Sequence, residues 1–176
     1  MLDLIANNNW KRPIYFSGGA YDDEDFLWMK NYLQLDGMTY KLVPIKTEIP
    51  KDASPLEMGG IDTDKMYANV MKWDWGNSES LSIYHDPETR KNSITYRSYL
   101  SRLMNQLILE GKKEKAKNII TLAMNKMPLE QFGYYSLLEP FAKGYYDLGE
   151  NAKAQDLLSK LILKYKENLK YYSSLT

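Results

Sequence analysis

The C-terminal half of the chain contains a pattern that repeats every 38 residues, and this repeat constrains the fold more than any other feature. Residues 97–128 align with residues 135–166 so that apolar or small residues occupy equivalent positions in both copies. The equivalent pairs are Leu100 and Leu138, Leu103 and Phe141, Met104 and Ala142, Leu107 and Tyr145, Ala116 and Ala154, Ile120 and Leu158, and Ala123 and Leu161. Because these positions step by three and four residues, each copy predicts two helices that bury one face each.

Glycines separate the two predicted helices of each copy, at Gly111 and Gly149. Glycine enters the left-handed conformation that ends a helix without steric cost, so each copy predicts a helix–turn–helix unit. Pro128 is expected to end the second helix of the first unit. We expect the small residues Ala116 and Ala154 to be buried where helices cross, and the segment 161–172 to act as a capping helix.

The ordering of these residues resembles the tetratricopeptide repeat, a helix–turn–helix unit of about 34 residues. Plain helical hairpins without a family relation are the alternative. The resemblance implies that the first helix of each unit lines a concave face that binds a protein or peptide partner. Carried onto this sequence, the predicted binding residues are Ser98, Ser101, Asn105, Leu109, Glu139, Lys143, Tyr146 and Asp147.

The N-terminal half predicts a small α/β unit. Residues 11–16 are typical of a strand, residues 22–35 of a helix and residues 38–45 of a second strand, which is the order of a parallel βαβ unit. Asp62 or Thr63 is expected to cap a short helix over residues 64–73, and residues 81–84 are expected to form a further strand. The predicted class is therefore α+β and mostly α, with a βαβ unit in residues 1–90 and a helical repeat region in residues 91–176.

Composition excludes several kinds of site. The 176 residues include no cysteine, so disulfides, thiolate metal sites and a cysteine nucleophile are excluded. Residues 1–90 carry 9 Lys and Arg against 15 Asp and Glu, whereas residues 91–176 carry 14 against 8. This asymmetry indicates either two halves that attract each other or a basic surface for an anionic polymer. No apolar run approaches the roughly 18 residues that span a bilayer.

Four features could carry chemistry, and each has a structural interpretation that we prefer. The acidic run 22–25 fits the N-terminus of a helix better than a metal site. The Ser-Gly-Gly run at 17–19 lacks the spacing of a phosphate loop. His85 lies in a predicted turn, and Trp73 and Trp75 are expected to anchor a loop, although such a pair could also stack on a sugar. The sequence therefore predicts no catalytic residue, no metal, no cofactor and no nucleic-acid partner.

Three segments resemble one family in the same order: NNWKRPIYF, YLQLDGMTYKLVPIK and GGIDTDKMYANVMKWDWG, followed by EGKKEKA. The family consists of bacterial multi-pass membrane proteins of unknown function whose membrane portion is similar to protein O-mannosyltransferases. The resemblance covers the soluble C-terminal domain of that family, which implies an extracytoplasmic, periplasmic location as part of a larger chain that begins before Met1.

The resemblance implies a non-catalytic accessory domain that binds a protein or peptide in the cell envelope. Two alternatives stay open at this point. The α/β half could contribute to a glycosyltransferase site for a sugar or lipid phosphate, or the basic helical half could bind an anionic envelope polymer. We expect catalysis, if the parent protein is a glycosyltransferase, to reside in its membrane portion.

Overall fold

The computed structural model describes residues 2–17, 28–50 and 55–175, and its class is α+β and mostly helical, as predicted. The chain divides into two compact units, Met1–Trp73 and Asp74–Thr176. The predicted boundary at residue 90 lies inside a helix of the second unit. Each unit has its own buried apolar core and is described separately below.

The first unit is built on a four-stranded sheet with the strand order β1–β3–β2–β4. Its elements are helix α1 (Leu2–Asn8), strands β1 (Tyr15–Ser17), β2 (Leu33–Asp36), β3 (Thr39–Leu42) and β4 (Gly60–Ile61), and helix α2 (Thr63–Val70). Short 3-10 helices cover Lys30–Tyr32 and Pro55–Glu57. Apolar side chains on one face of the sheet form the core together with Met58, Met66 and Val70.

The parallel βαβ arrangement is wrong. Strand β1 pairs with β3 in the antiparallel direction, with Phe16 opposite Tyr40, and only the β2–β4 pair is parallel. Residues 22–27 of the helix predicted over residues 22–35 lie outside the described residues. The rest of that segment forms a turn, the 3-10 helix Lys30–Tyr32 and, in its last three residues, part of strand β2. From Leu33 onward, apolar and polar residues alternate with the two-residue period of a strand. The prediction extended the helix into this segment because the apolar residues before it have helical spacing.

A tight hairpin joins β2 to β3 at the position where the sequence predicts the end of a helix. Gly37 has φ +68, and it occupies the first of two loop residues, which is the glycine position of a type II′ turn. Leu33 and Leu35 on β2 are buried, and Tyr40 on β3 is buried opposite Leu35. The turn thus sets a register in which one face of the hairpin faces the core.

Helix α2 begins as the sequence predicted. The Asp62 carboxylate accepts a hydrogen bond from the backbone N–H of Lys65 at 3.1 Å, which satisfies one free donor of the first turn. The hydrogen bond from the Lys65 ammonium and this backbone bond lower the pKa of Asp62. The other end of the helix is tied to the sheet because Asn69 Nδ2 donates to Asp36 Oδ1 at 2.6 Å.

The second unit consists of two helix–turn–helix pairs, as the 38-residue repeat predicted. Its helices are α3 (Pro87–Leu109), α4 (Lys113–Lys126), α5 (Leu129–Phe132), α6 (Glu139–Asp147) and α7 (Asn151–Ser173), with a 3-10 helix at Tyr135–Leu138. Gly111 and Gly149 have φ values of +73 and +78 in the turns between paired helices. Both glycines therefore fulfil the predicted role.

The core of the second unit confirms the predicted buried faces. Ala116 and Ala154 are both fully buried, as expected for small residues at helix crossings. The remaining fully buried residues include Tyr99, Leu100, Leu103, Met104, Leu107, Ile119, Ile120, Ala123 and Phe141. The expected capping helix at 161–172 is the second half of α7 instead of a separate helix, and it leaves Leu169 and Tyr172 exposed.

The strand predicted over residues 81–84 is also wrong. These residues form turns, with Ile83 N–H donating to Ser80 O at 3.1 Å, and Leu81 and Tyr84 point into solvent. Propensity favoured a strand, but a strand needs a neighbouring strand for its hydrogen bonds, and among the described residues no strand lies within the second unit.

Candidate functional site

The candidate site lies on α3 and α6, the first helices of the two pairs. Asp86 fixes the start of α3 because its carboxylate accepts hydrogen bonds from the Thr89 backbone N–H at 2.9 Å and from the Thr89 hydroxyl at 2.8 Å. These bonds lower the pKa of Asp86, and Pro87 stands in the first turn, where its missing N–H is not needed.

Gly144 lets α6 approach its neighbours closely. It is buried, and a Cβ atom added at this position would lie 2.4 Å from Met104 Sδ on α3 and 3.2 Å from Ile120 Cδ1 on α4. The absence of a side chain thus allows the two first helices to pack directly on each other. This packing places the predicted binding residues of α3 and those of α6 on adjacent helices.

The structure exposes six of the eight predicted binding residues, namely Asn105, Leu109, Glu139, Lys143, Tyr146 and Asp147. Ser98 is half-buried, and Ser101 is buried with its hydroxyl donating to Ser98 O at 2.8 Å. A hydroxyl that is buried and already bonded within its own helix offers little to a ligand. Ser101 therefore does not contribute to an accessible face.

The charged members on α6 already have partners within the second unit. Lys143 Nζ lies 2.5 Å from Asp147 Oδ2, one turn along the same helix. Glu139 accepts a hydrogen bond from the Tyr165 hydroxyl, and this bond raises the pKa of Tyr165 to about 12. A ligand that used these groups would have to compete with the existing contacts.

Asn105, Leu109 and Tyr146 are the uncharged members of this exposed set. Leu109 is 80% exposed and Tyr146 is 42% exposed. An amide, an aliphatic side chain and a phenol can pack against a peptide while donating and accepting hydrogen bonds. These three side chains are therefore suited to binding a peptide.

The lysines at the start of α4 lie close to carboxylates. Lys112 Nζ is 2.9 Å from Glu110, and Lys117 Nζ is 3.2 Å from Glu150 and 3.6 Å from Glu114. The hydrogen bonds from Lys153 and Lys117 lower the pKa of Glu150. Because carboxylates offset these charges, the basic composition of the repeat region does not produce a purely cationic surface here.

A buried arginine that is not among the predicted site residues organises the connection between the two pairs. Arg97 is fully buried in the middle of α3, and its guanidinium donates to Gly133 O at 2.5 Å and to Met127 O at 2.8 Å. Burial lowers the pKa of Arg97 to about 10, so the group stays protonated at neutral pH. In the sequence, Arg97 could have been recognised as a cation that falls on the apolar face of the predicted helix.

The remaining predicted features have structural roles where the structure describes them. His85 packs on Phe132 with ring centroids 4.6 Å apart, and its Nε2 lies 2.8 Å from Ser78 O. Trp73 packs beside Gly37, and Trp75 lies 5.6 Å from Tyr96 between ring centroids. The acidic run 22–25 and the glycines at 18 and 19 lie outside the described residues.

The family model of TMEM260-associated domain 2 matches residues 1–65. No curated protein and no solved structure matches the chain. The matched segment ends at the start of α2 and so lies within the first unit.

The match links the first unit to a domain that is associated with a membrane protein family. This agrees with the coarser part of the resemblance described above, in which the chain is a domain of a membrane protein. Among the described residues, no helix combines the length and the apolar character that crossing a membrane requires. Within the same residues, no cluster of three or more histidine or carboxylate side chains is arranged to hold a metal ion.

Proposed function

We propose that this chain is a non-catalytic accessory domain of a membrane protein, and that its second unit binds a protein or peptide segment. The observation that carries the proposal is the exposure of Asn105, Leu109 and Tyr146 on the two adjacent first helices of the repeat. Helical hairpins that stack side by side commonly present such a face to an extended or helical ligand. The match of residues 1–65 supports the membrane-protein context.

We further propose that the hairpins are units of the tetratricopeptide type, and that the parent is a multi-pass, glycosyltransferase-like protein. The glycines and small residues at equivalent positions in both pairs support the repeat assignment. In this proposal the domain lies on the extracytoplasmic side, and its partner belongs to the cell envelope. The glycosyltransferase context is inferred from the sequence resemblance alone.

Site-specific photo-crosslinking in cells tests the proposed face. A photoreactive phenylalanine analogue replaces Asn105 or Tyr146 in the complete protein, and the matched control carries it at Asn125, an exposed position on the second helix of the first pair. We expect a discrete protein adduct from positions 105 and 146 and none from position 125. The double substitution Asn105→Ala with Tyr146→Ala should weaken capture of the same partner and leave the fold intact.

Two results would contradict this function. Equal crosslinking from position 125 would show that the face has no special role. Capture that survives the double substitution but disappears when Lys112, Lys113, Lys115 and Lys117 are neutralised would favour binding of an anionic polymer by the start of α4.

A further inference from the structure

The C-terminal end of α7 runs beyond the core of the second unit. No residue from 162 to 173 is buried, although the helix continues to Ser173. This end of the helix is nevertheless tied to its neighbours, because Tyr165 donates a hydrogen bond to Glu139 and Asn168 donates one to Tyr135. The direction in which its outer side chains point is therefore fixed before any ligand binds.

This end of α7 carries a row of apolar and aromatic side chains, which we call the C-terminal stripe. Its members follow one another at intervals of three, four and three residues, which places them on one side of the helix, and they are Ile162, Tyr165, Leu169 and Tyr172. Ile162 is 52% exposed, Leu169 is 67% exposed and Tyr172 is 64% exposed. Exposed apolar patches of this kind mark surfaces that contact another molecule or a membrane.

Lysines border the C-terminal stripe. Lys166 follows Ile162 by four residues and Lys170 follows Lys166 by four, so both lysines lie along one edge of the stripe. Both are exposed, and neither makes an ion pair with another residue that the structure describes. Residues 160–173 contain four lysines and one carboxylate. The exposed apolar side chains therefore lie within a region of excess positive charge.

We propose that the C-terminal stripe lies in the surface of an anionic lipid bilayer, with Lys166 and Lys170 beside the lipid phosphates. Ile162 and Leu169 enter the boundary between headgroups and acyl chains. The ring of Tyr172 lies at the level of the headgroups, where tyrosines are enriched in membrane proteins. Charge complementarity decides the choice of ligand, because an anionic surface attracts each lysine near it while the burial of apolar side chains adds to the binding.

Two protein occupants fit this surface less well. A second copy of the chain would bring the same excess of positive charge to the stripe, and this repulsion opposes association. An acidic protein helix would satisfy the lysines. The match of residues 1–65 to a domain associated with a membrane protein family favours the bilayer over such a helix, because the membrane of the parent protein is then close to the domain.

Vesicle flotation of the full chain tests the binding of lipid. Vesicles of phosphatidylcholine and phosphatidylglycerol in equal parts should carry the chain upward in a density gradient. Vesicles of phosphatidylcholine alone should bind it at least about tenfold more weakly, because they offer the lysines no net negative charge. Added salt should release the chain from the anionic vesicles, since salt screens the attraction between lysines and phosphates.

A pair of double variants assigns the electrostatic part of the binding. Lys166→Gln with Lys170→Gln should weaken binding to the anionic vesicles about 25-fold, since each lysine near such a surface contributes a factor of about five. Lys91→Gln with Lys113→Gln is the matched control, because it removes the same charge from exposed positions on α3 and α4. The control should bind like the wild type.

A single variant measures the apolar part. Ile162→Gln should weaken binding about tenfold, because a polar side chain loses the free energy gained when isoleucine leaves water. Leu81→Gln is the matched control, since Leu81 is an exposed apolar residue of the second unit that lies outside α7. Circular dichroism of each variant should show the helical content of the wild type.

A fluorescent label reports which side of α7 enters the bilayer. The chain has no cysteine, so a single introduced cysteine carries a nitrobenzoxadiazole label at one position only. Leu169→Cys places the label on the C-terminal stripe, and Glu167→Cys places it on nearly the opposite side, because residues two apart on a helix differ by about 200°. On anionic vesicles, emission from position 169 should shift to the blue and emission from position 167 should not. Removal of the Glu167 carboxylate does not weaken attraction to an anionic surface, so a missing shift there does not reflect lost binding.

Full binding after Lys166→Gln with Lys170→Gln, equal binding to both kinds of vesicle, or equal shifts at the two labelled positions would overturn lipid binding by the stripe. A dimer that forms without vesicles and dissociates on Ile162→Gln would identify a second copy as the occupant. Tighter binding to an acidic amphipathic peptide than to anionic vesicles, lost in the same lysine variant, would identify a protein helix. The C-terminal stripe shares no residue with the face on α3 and α6, so failure of lipid binding leaves the crosslinking prediction unaffected.

Discussion

Single side chains position the proposed binding helices, and Asp86 is the clearest case. Its carboxylate bonds to the backbone and the hydroxyl of Thr89 and so holds the first turn of α3. Arg97, farther along the same helix, bonds to the carbonyls that end the first pair. Asp86 and Arg97 lie outside the proposed binding face, but they fix the position of the helix that carries Asn105 and Leu109.

The cap predicts how stability responds to acid. The hydrogen bonds from Thr89 hold the pKa of Asp86 below its ordinary value of 3.8. The stabilisation by the ionised cap is therefore fully present above pH 3.8 and is lost as the pH falls through the folded-state pKa. Asp86→Asn keeps a neutral cap at every pH, so the advantage of the wild type over this variant should shrink on acidification.

Urea unfolding of both proteins near neutral pH and below pH 3.8 measures this difference. Asp86→Ala serves as the control, since it should be less stable than the asparagine variant under both conditions. A gap between wild type and Asp86→Asn that stays constant across this range would show that the carboxylate does not act as an ionised cap.

At the scale of elements, small residues determine how the helices of the second unit pack. Ala116 and Ala154 occupy equivalent positions in α4 and α7, and both are fully buried. Gly144 permits the close approach of α6 to α3 and α4. Because protein interiors are closely packed, larger side chains at these positions would force the helices apart.

Ala116→Leu should overpack the interior and lower the free energy of unfolding by about 1–3 kcal/mol. Thr121→Leu is the matched control, because Thr121 is exposed on the same helix and leucine is a better helix former there. Chemical denaturation measures both variants. An Ala116→Leu protein as stable as the control would contradict the packing of the helical pairs described above.

At the scale of the whole molecule, each of the two units carries its own core. Residues that line the sheet of the first unit include Leu33, Leu35 and Tyr40, whereas the core of the second unit comes from the helices after residue 90. The family match falls entirely within the first unit. The link to membrane proteins and the proposed peptide-binding face therefore come from different parts of the chain.

Gly59→Ala should disrupt the first unit selectively. Gly59 has φ +65, and an added Cβ would lie 2.2 Å from the backbone oxygen of Leu33, so the substitution combines backbone strain with a direct clash. Hydrogen exchange should accelerate at the amides of β2 and β3 and stay unchanged in α3, α4 and α6.

Gly111→Ala is the control in the second unit, since Gly111 also has a positive φ but has open space around it. It should have a smaller effect, confined to the turn between α3 and α4. Accelerated exchange throughout both units after Gly59→Ala would show that their stabilities are not separate.

Elements with local, periodic signals could be predicted from the sequence alone. The repeat predicted α3, α4, α6 and α7 with their glycine turns, and the aspartate at 62 predicted the start of α2. Helical periodicity and caps act over a few residues, so they can be recognised without knowing what packs where. Asn105 and Tyr146 were predicted from the resemblance to the tetratricopeptide repeat, and the structure exposes both.

Three features could not be predicted because they depend on contacts between distant parts of the chain. They are the strand pairing, the loop before α3 and the role of Arg97. Strand direction depends on which segments meet across long sequence separations, so the antiparallel pairing of β1 with β3 has no local signal. The conformation of residues 81–84 depends on whether a neighbouring strand is available to pair with them. Likewise, Arg90 and Gln131 are 41 positions apart in the sequence, and only folding brings both side chains to the lining of one cavity.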